Sequence, residues 1–211
     1  MERKISKLLI ISLIISASLF VLNDCRAENV RIAISGGFSD ISFDWGDPWK
    51  DEYVIRAGIY FPVTSRMLVG GLIGYNNWVP TLGEIVGVNW DVRKSAKLFD
   101  ILYSMRFYTI AQERIPVDLF FQMGLGITII HDAEVYSTIV IPNPPPAAKV
   151  EMLGDENKVI LLLGGGLEIE ISDFMSFEIF PSYHFIFHEH KYKSDEDIKY
   201  YSVSCGINFM H

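Results

Sequence analysis

The sequence predicts an all-β protein: an eight-stranded antiparallel up-and-down transmembrane β-barrel with short turns at one end and long loops at the other. Three observations carry that prediction. Beyond residue 27 apolar residues recur at every second position, the period of a strand, while helical spacing is scarce. The connections between these segments alternate between short and long. One face of the segments mixes glycine and serine with charge, and the other is almost wholly bulky and apolar.

The first residues stand apart from this pattern. Arg3, Lys4 and Lys7 precede an apolar run from Leu8 to Leu22 that ends near Cys25-Arg26-Ala27. That order reads as a secretory signal peptide over residues 1–27, and the run is short for a membrane helix, which takes about 20 apolar residues. Cys25 as a lipid acceptor would anchor the product, but Asn23 and Asp24 stand where such a site takes small residues. The expected domain is residues 28–211, about 184 residues and enough for a single core. Its one cysteine, Cys205, leaves no intramolecular disulfide. Export without disulfides fits a bacterial envelope protein. A net charge of −8 with no basic stripe argues against nucleic acid as a partner.

Strands are expected at roughly 29–39, 52–62, 66–76, 97–110, 117–131, 158–172, 177–189 and 199–210, with ends good to about two to four residues. In the first, Arg31, Ala33, Ser35 and Gly37 oppose Ile32, Ile34 and Phe38. The second sets Arg56, Gly58 and Tyr60 against Ile55, Ala57, Ile59 and Phe61. The third, MLVGGLIGY, is nearly all apolar, so its pattern assigns no facing. In the fourth, Asp100, Ser104, Arg106 and Tyr108 oppose Phe99, Ile101, Tyr103, Met105 and Phe107. The fifth sets Asp118, Gln122, Gly124, Gly126 and Thr128 against Leu119, Phe121, Met123, Leu125, Ile127 and Ile129. The sixth and seventh place Gly164, Gly166, Glu168, Glu170, Glu178, Ser182 and His184 opposite Leu161, Leu163, Leu167, Ile169, Ile171, Ile179, Tyr183, Phe185 and Phe187. The eighth sets Ser202, Ser204, Gly206 and Asn208 against Tyr201, Val203, Cys205, Ile207 and Phe209. Short links fall at 62–66, 111–116 and 172–176, and long ones at 40–51, 77–96, 138–157 and 190–198, so antiparallel neighbours gather the short turns at one end.

Alternation alone also fits a soluble lipocalin-like barrel with the faces inverted. The glycines decide between the two, because a glycine on an exposed strand face weakens the strand with no packing return. Inside a narrow barrel, small residues make room for long charged ones. The apolar face runs for about nine to eleven residues per strand, the length that crosses hydrocarbon when tilted. In lipid an open edge leaves backbone groups unpaired, so the sheet must close.

The chain here resembles the small eight-stranded outer-membrane barrels of the OmpA/OmpX type. The resemblance spans the whole region after the leader and is carried by the turn and loop alternation, by FFQMGLGITII and GGGLEIEISDFMSFEIF, and by the ending YYSVSCGINFMH. It implies short periplasmic turns, long extracellular loops and a bacterial outer-membrane location. Members of the family end in an aromatic residue read by the barrel-assembly machinery. Phe209 is in phase with the lipid face for that role, although Met210 and His211 follow it.

The inward set contains Arg31, Arg56, Arg106, Asp100, Asp118, Glu168, Glu170 and Glu178. Buried charges must be paired, so these are expected to form a network that fills the lumen. Ser182 and His184 share that face beside Glu178, but no oxyanion donor accompanies them. His188 and His190 with Asp195-Glu196-Asp197 fall short of the three or four converging ligands a metal takes. No metal, cofactor or catalytic set is assigned. All four tryptophans, Trp45, Trp49, Trp78 and Trp90, fall in the first two long links, as an interfacial girdle or as a contact patch. The proline run of the third link, IVIPNPPPAAKV, favours a stiff extended chain. Pro181 removes a ladder hydrogen bond and is expected to sit at a bulge.

The function expected is a non-enzymatic structural or surface-interaction role, with a plugged polar lumen and extracellular loops that engage a surface ligand or host protein. Outer-membrane lipid or lipopolysaccharide and the barrel-assembly machinery are the other partners. Two alternatives are an outer-membrane enzyme acting on lipid or lipopolysaccharide, for which His131 with Ser137 is the hint, and a small pore whose conductance depends on Arg106.

Overall fold

The computed structural model describes residues 30–42, 49–50, 52–80, 88–109, 116–131, 133–139, 147–150, 156–187 and 198–210. Residues 1–27 (the expected leader), Trp45, His188, His190 and the acidic run 195–197 lie outside them. Among the described residues there are twelve strands: β1 (Arg31–Ser42), β2 (Trp49–Lys50), β3 (Glu52–Thr64), β4 (Met67–Pro80), β5 (Val88–Lys94), β6 (Ala96–Tyr108), β7 (Val117–His131), β8 (Glu134–Ile139), β9 (Ala148–Val150), β10 (Glu156–Ser172), β11 (Met175–Phe187) and β12 (Ile198–Met210). The eight long ones are the eight expected from periodicity.

These eight form one closed antiparallel ring. β1 pairs with β3, β3 with β4, β4 with β6, β6 with β7, β7 with β10, β10 with β11 and β11 with β12. β12 returns to β1, from Arg31 opposite Met210 to Ser42 opposite Lys199. Two tight turns close the short end at Ser65-Arg66 and Asp173-Phe174.

The outward face is apolar: Ile34 (53% exposed), Ile59, Ile73 (58%), Ile101, Phe121 and Val203 are all exposed. The inward face buries Arg56, Arg106, Glu168 and Glu178 at 2–3% exposure. That polarity excludes the inverted, soluble arrangement, because no aqueous fold places its arginines inside and its isoleucines in water. β4 acquires its facing from the ring: Leu68, Leu72, Asn76 and Trp78 are buried inside and Ile73 is outside.

Close inner packing uses glycine where strands crowd. A Cβ on Gly70 would collide with the Ile59 carbonyl oxygen, and one on Gly126 with that of Ile101. Pro181 departs from expectation, since no bulge forms beside it. The β10–β11 register runs unshifted from Gly164 opposite Ser182 to Leu167 opposite Ile179, and the β11–β12 register passes through Pro181 opposite Val203. The proline faces out, and the missing ladder contacts fall opposite Gly165 and Gly166.

Two further departures concern the long-loop end. The segment expected as one link over 77–96 continues β4 to Pro80 and then forms β5, which joins β8 and β9 in a separate three-stranded sheet. The interior is also not polar throughout. Towards the loops Leu98, Ile130, Ile160, Leu162, Ile186 and Ile198 fill it, in one cluster with Trp78, Tyr200 and with Ala133 and Val135 beside the loop sheet. Trp90 packs against the same cluster, so the loop sheet sits on the apolar plug.

Placing a charge on the outward face tests the assignment of faces. Ile101→Arg is expected to lower stability by about 2–4 kcal/mol, the cost of arginine near mid-bilayer on a lipid face. Urea unfolding from lipid vesicles reads this, and an unchanged midpoint would show that Ile101 does not meet hydrocarbon.

Candidate functional site

The polar part of the interior is built from alternate residues of all eight ring strands and resolves into two hydrogen-bonded groups. Towards the short-turn end, Arg106 of β6 donates from Nη1 to Glu178 Oε2 at 2.8 Å and from Nε to Gln122 Oε1 at 3.0 Å, and lies 3.7 Å from Glu168 Oε2. Arg31 of β1 reaches across the ring to Glu168 Oε1 at 2.9 Å and to the Tyr108 hydroxyl at 3.0 Å. Tyr108 in turn donates to Glu168 Oε2 at 2.5 Å, Ser176 donates to Glu168 Oε1 at 2.6 Å, and Asn208 donates to Glu178 Oε2 at 3.0 Å. The Arg106 guanidinium is sandwiched between rings, 4.2 Å from the Phe120 centroid and 4.8 Å from that of Tyr60. Gln122 passes the network on to Tyr60 and Ser104.

Nearer the loops, Arg56 of β3 has no carboxylate within ion-pair distance among the described residues. Its guanidinium instead donates to Ser202 at 2.6 Å, Ser182 at 3.2 Å, Ser204 at 3.5 Å and His184 Nε2 at 2.8 Å. An arginine only donates, so His184 Nε2 accepts and its proton is on Nδ1. His184 stacks on Tyr200 at 4.1 Å and 11°. Tyr200 donates to Asp100 Oδ2 at 3.1 Å, and Asn76 does so at 3.0 Å. A cavity of about 10 Å³, room for about one water, lies between the two groups and is lined by Ser35, Arg56, Arg106, Gln122 and Glu178. Three arginines thus face three buried carboxylates, Asp100, Glu168 and Glu178, and their charges cancel.

Six of the eight charged residues singled out in the sequence meet in this interior. Two do not join it. Asp118 is half-buried and Glu170 exposed, both at the short-turn rim, and neither makes an ion pair among the described residues. Their parity is inward, and Asp118 stands opposite the buried Glu168 and Glu170 opposite the buried Ser176 in the ladder, yet both remain more open than those partners. Ser182 and His184 do come within 3.0 Å. Arg56 occupies the imidazole nitrogen that would act as a base, and both residues are buried in packed protein, so no substrate reaches them.

The tryptophans do not form one patch. Trp78 is fully buried inside the barrel, donates from Nε1 to Ser39 Oγ at 3.1 Å and meets Tyr200 edge-on at 5.1 Å. It belongs to the plug because it shares the inward set of β4 with Asn76. Trp90 is partly buried against that plug. Trp49 pairs through its backbone with Pro80, and Trp45 lies outside the described residues. The outward rings at this end are others. Tyr53–Tyr75, Tyr75–Phe99 and Phe99–His131 follow one another at 5.9, 5.0 and 6.1 Å across four strands, and Tyr183–Tyr201 stand at 4.5 Å on the far wall. Alternating Tyr, Phe and His at the outer ends of strands carried that signal.

His131 is exposed on the outward face, and no side-chain hydrogen bond joins it to Ser137 among the described residues. Among those residues no three His, Cys, Asp or Glu side chains converge as metal ligands. On the loop sheet, Glu134 accepts from Lys94 at 2.8 Å and, by that hydrogen bond and its charge, holds the ammonium above its ordinary range.

Removing one member of the central pair is expected to destabilise strongly. Glu178→Ala leaves Arg106 with Glu168 alone at 3.7 Å and is expected to cost about 3–5 kcal/mol. Arg106→Met combined with Glu178→Leu is expected to lose far less. Equal losses in urea unfolding from vesicles would contradict the pairing.

No protein-family model and no curated protein matches the chain. Solved structures do match in fold. Neisserial surface protein A (NspA) superposes with a TM-score of 0.53 at 10% identity, over 85% of this chain and 96% of that one. Ail, the attachment invasion locus protein of Yersinia pestis, in complex with the heparin analogue sucrose octasulfate, gives 0.51 at 15% identity over 87% and 98%. A major outer membrane protein from Thermus thermophilus gives 0.50 at 10% identity over 86% and 99%. Identities this low speak to fold and to nothing finer. The closed ring, its apolar outer face and these superpositions together give the chain the fold of the small eight-stranded outer-membrane barrels of the OmpA/OmpX type.

Proposed function

We propose that this chain is a bacterial outer-membrane protein, exported by its leader and inserted by the barrel-assembly machinery through its Phe209 end, whose sealed barrel is a non-enzymatic anchor for a surface-exposed loop assembly. The observation that carries this reading is the continuous apolar plug. Leu98, Ile130, Ile160, Leu162 and Ile186 close the interior and run on into Ala133 and Val135 at the loop sheet, so what the barrel holds rigid is that sheet. A lumen filled with paired charge below and hydrocarbon above leaves no water path, which argues against the pore. Among the described residues no nucleophile is placed by His131, and the buried Ser182–His184 pair has no access route, which argues against the enzyme.

The working surface is then the loops and the outward side of the loop sheet, where Arg93 pairs with Asp91 at 2.9 Å and lies 4.3 Å from the Tyr136 ring centroid. Sequence segments 43–51, 81–95, 132–155 and 188–197 carry 13 acidic and six basic residues. A polyanion of the kind bound by Ail is repelled by such a surface, and a neutral or cationic ligand suits it better, a host protein among them.

Two outcomes are expected. Purified protein in planar bilayers gives no discrete conductance steps, and cells expressing it show the same lipid A composition as cells expressing His131→Ala. A stable open-channel current would sink the sealed-anchor reading, and a lipid A mass change that disappears with His131→Ala would replace it with the enzyme.

A further inference from the structure

One polar feature of the lipid-facing rim is left over by the sealed-anchor reading. Lys97 of β6 and His131 of β7 are directly paired in the ladder. Both are exposed and both belong to the outward set that continues into Phe99, Ile101 and Ile127. Directly opposed side chains on one face have Cβ atoms about 4.5–5.5 Å apart, so an ammonium and an imidazole are presented at one spot. Among the described residues neither side chain has an ion pair or a hydrogen bond, whereas nearby Lys94 is held by Glu134 at 2.8 Å.

Their depth says what they meet. The row Tyr53, Tyr75, Phe99 ends on the His131 ring at 6.1 Å, and aromatic collars of this kind settle in the headgroup layer. Lys97 lies one step further out, paired with Asn77 on its other side. N–H donors at that level face lipid phosphates, for which lysine is a point-charge partner. The sequence of the long links is acidic and disfavours an anion arriving from solution, so a phosphate reaches this spot by lateral movement within the leaflet.

We propose that Lys97 and His131 form a binding site for the phosphate of an outer-leaflet lipid headgroup, with Phe99 and Tyr75 as the shelf beneath it. Lys97 supplies the charge and His131 a second, directional N–H. The site rests on the outer-membrane reading above and adds to it a fixed lipid contact next to the loop sheet.

Native mass spectrometry of the detergent-solubilised full chain tests this, with three probes: bisphosphorylated lipid A, the same lipid with its phosphates removed, and inorganic phosphate. Wild type is expected to retain the phosphorylated lipid, and Lys97→Ala combined with His131→Ala to bind it at least about fivefold more weakly, the order of one basic residue at a charged membrane surface. Lys199→Ala, on the far wall, is expected to bind as wild type does. Equal retention by the double variant, or equal binding of the dephosphorylated lipid, overturns the site. Displacement by inorganic phosphate at equal concentration overturns its assignment to a lipid. Heat-modifiable gel migration of every variant separates the two levels. A heat-modifiable double variant that keeps the lipid defeats the site alone, while a protein that stays soluble without detergent defeats the outer-membrane reading and the site with it.

Discussion

Closure between β1 and β12 is the constraint from which the other features follow. In hydrocarbon an unpaired strand edge leaves N–H and C=O groups unsatisfied at a cost of several kcal/mol each, and the pairing of Arg31 through Ser42 with Met210 through Lys199 removes the edge along its length. Closing at eight strands also fixes a narrow interior. Long side chains fit there only if others are small, which is why Gly58, Gly74, Gly124 and Gly206 share the inward face with Arg56 and Arg106. It also leaves buried charges little beyond the room for about one water between Arg56 and Arg106, so they must find protein partners.

The interior answers that demand in two ways. Below, Arg31 and Arg106 are neutralised by Glu168 and Glu178 at hydrogen-bond distance. Above, Arg56 is solvated by three serines and a histidine, and Asp100 is solvated separately by Tyr200 and Asn76. Beyond them hydrocarbon takes over. The barrel is therefore filled rather than hollow, and its apolar plug extends to the loop sheet through Val135 and Trp90. Among the described residues, what such an interior leaves exposed is the loop sheet and the ring of lipid-facing side chains at its base.

Much of this was legible in the sequence because period two survives wherever one face is lipid and the other is polar. The eight strands and the facing of Arg31, Arg56, Arg106, Glu168 and Glu178 follow from that alone. The outer half was not legible for the same reason. In Val159-Ile160-Leu161-Leu162-Leu163 both faces are apolar, one for lipid and one for the plug, so alternation disappears and with it the sign that the lumen is dry there. MLVGGLIGY hides the facing of β4 in the same manner, and the pattern alone leaves Trp78 in the link that follows. The rim is a second blind spot: Asp118 and Glu170 have the parity of Glu168, and Asp118 is even its ladder partner, so parity does not tell a buried carboxylate from an open one. The loop sheet depends on pairing between segments about 45 residues apart, such as Trp90 with Ser137, which local pattern does not encode.

The facing of nearby residues in one strand tests the account most directly. In a Cys205→Ser background, nitroxide labels placed singly at Ile101 and at Ser104 of the vesicle-embedded protein report their collision rates with oxygen and with a water-soluble nickel chelate. Lipid contact for Ile101 gives high oxygen and low nickel accessibility, and a packed interior gives Ser104 low values for both. High nickel accessibility at Ile101, or high oxygen accessibility at Ser104, would contradict a lipid-facing wall around a solid polar core.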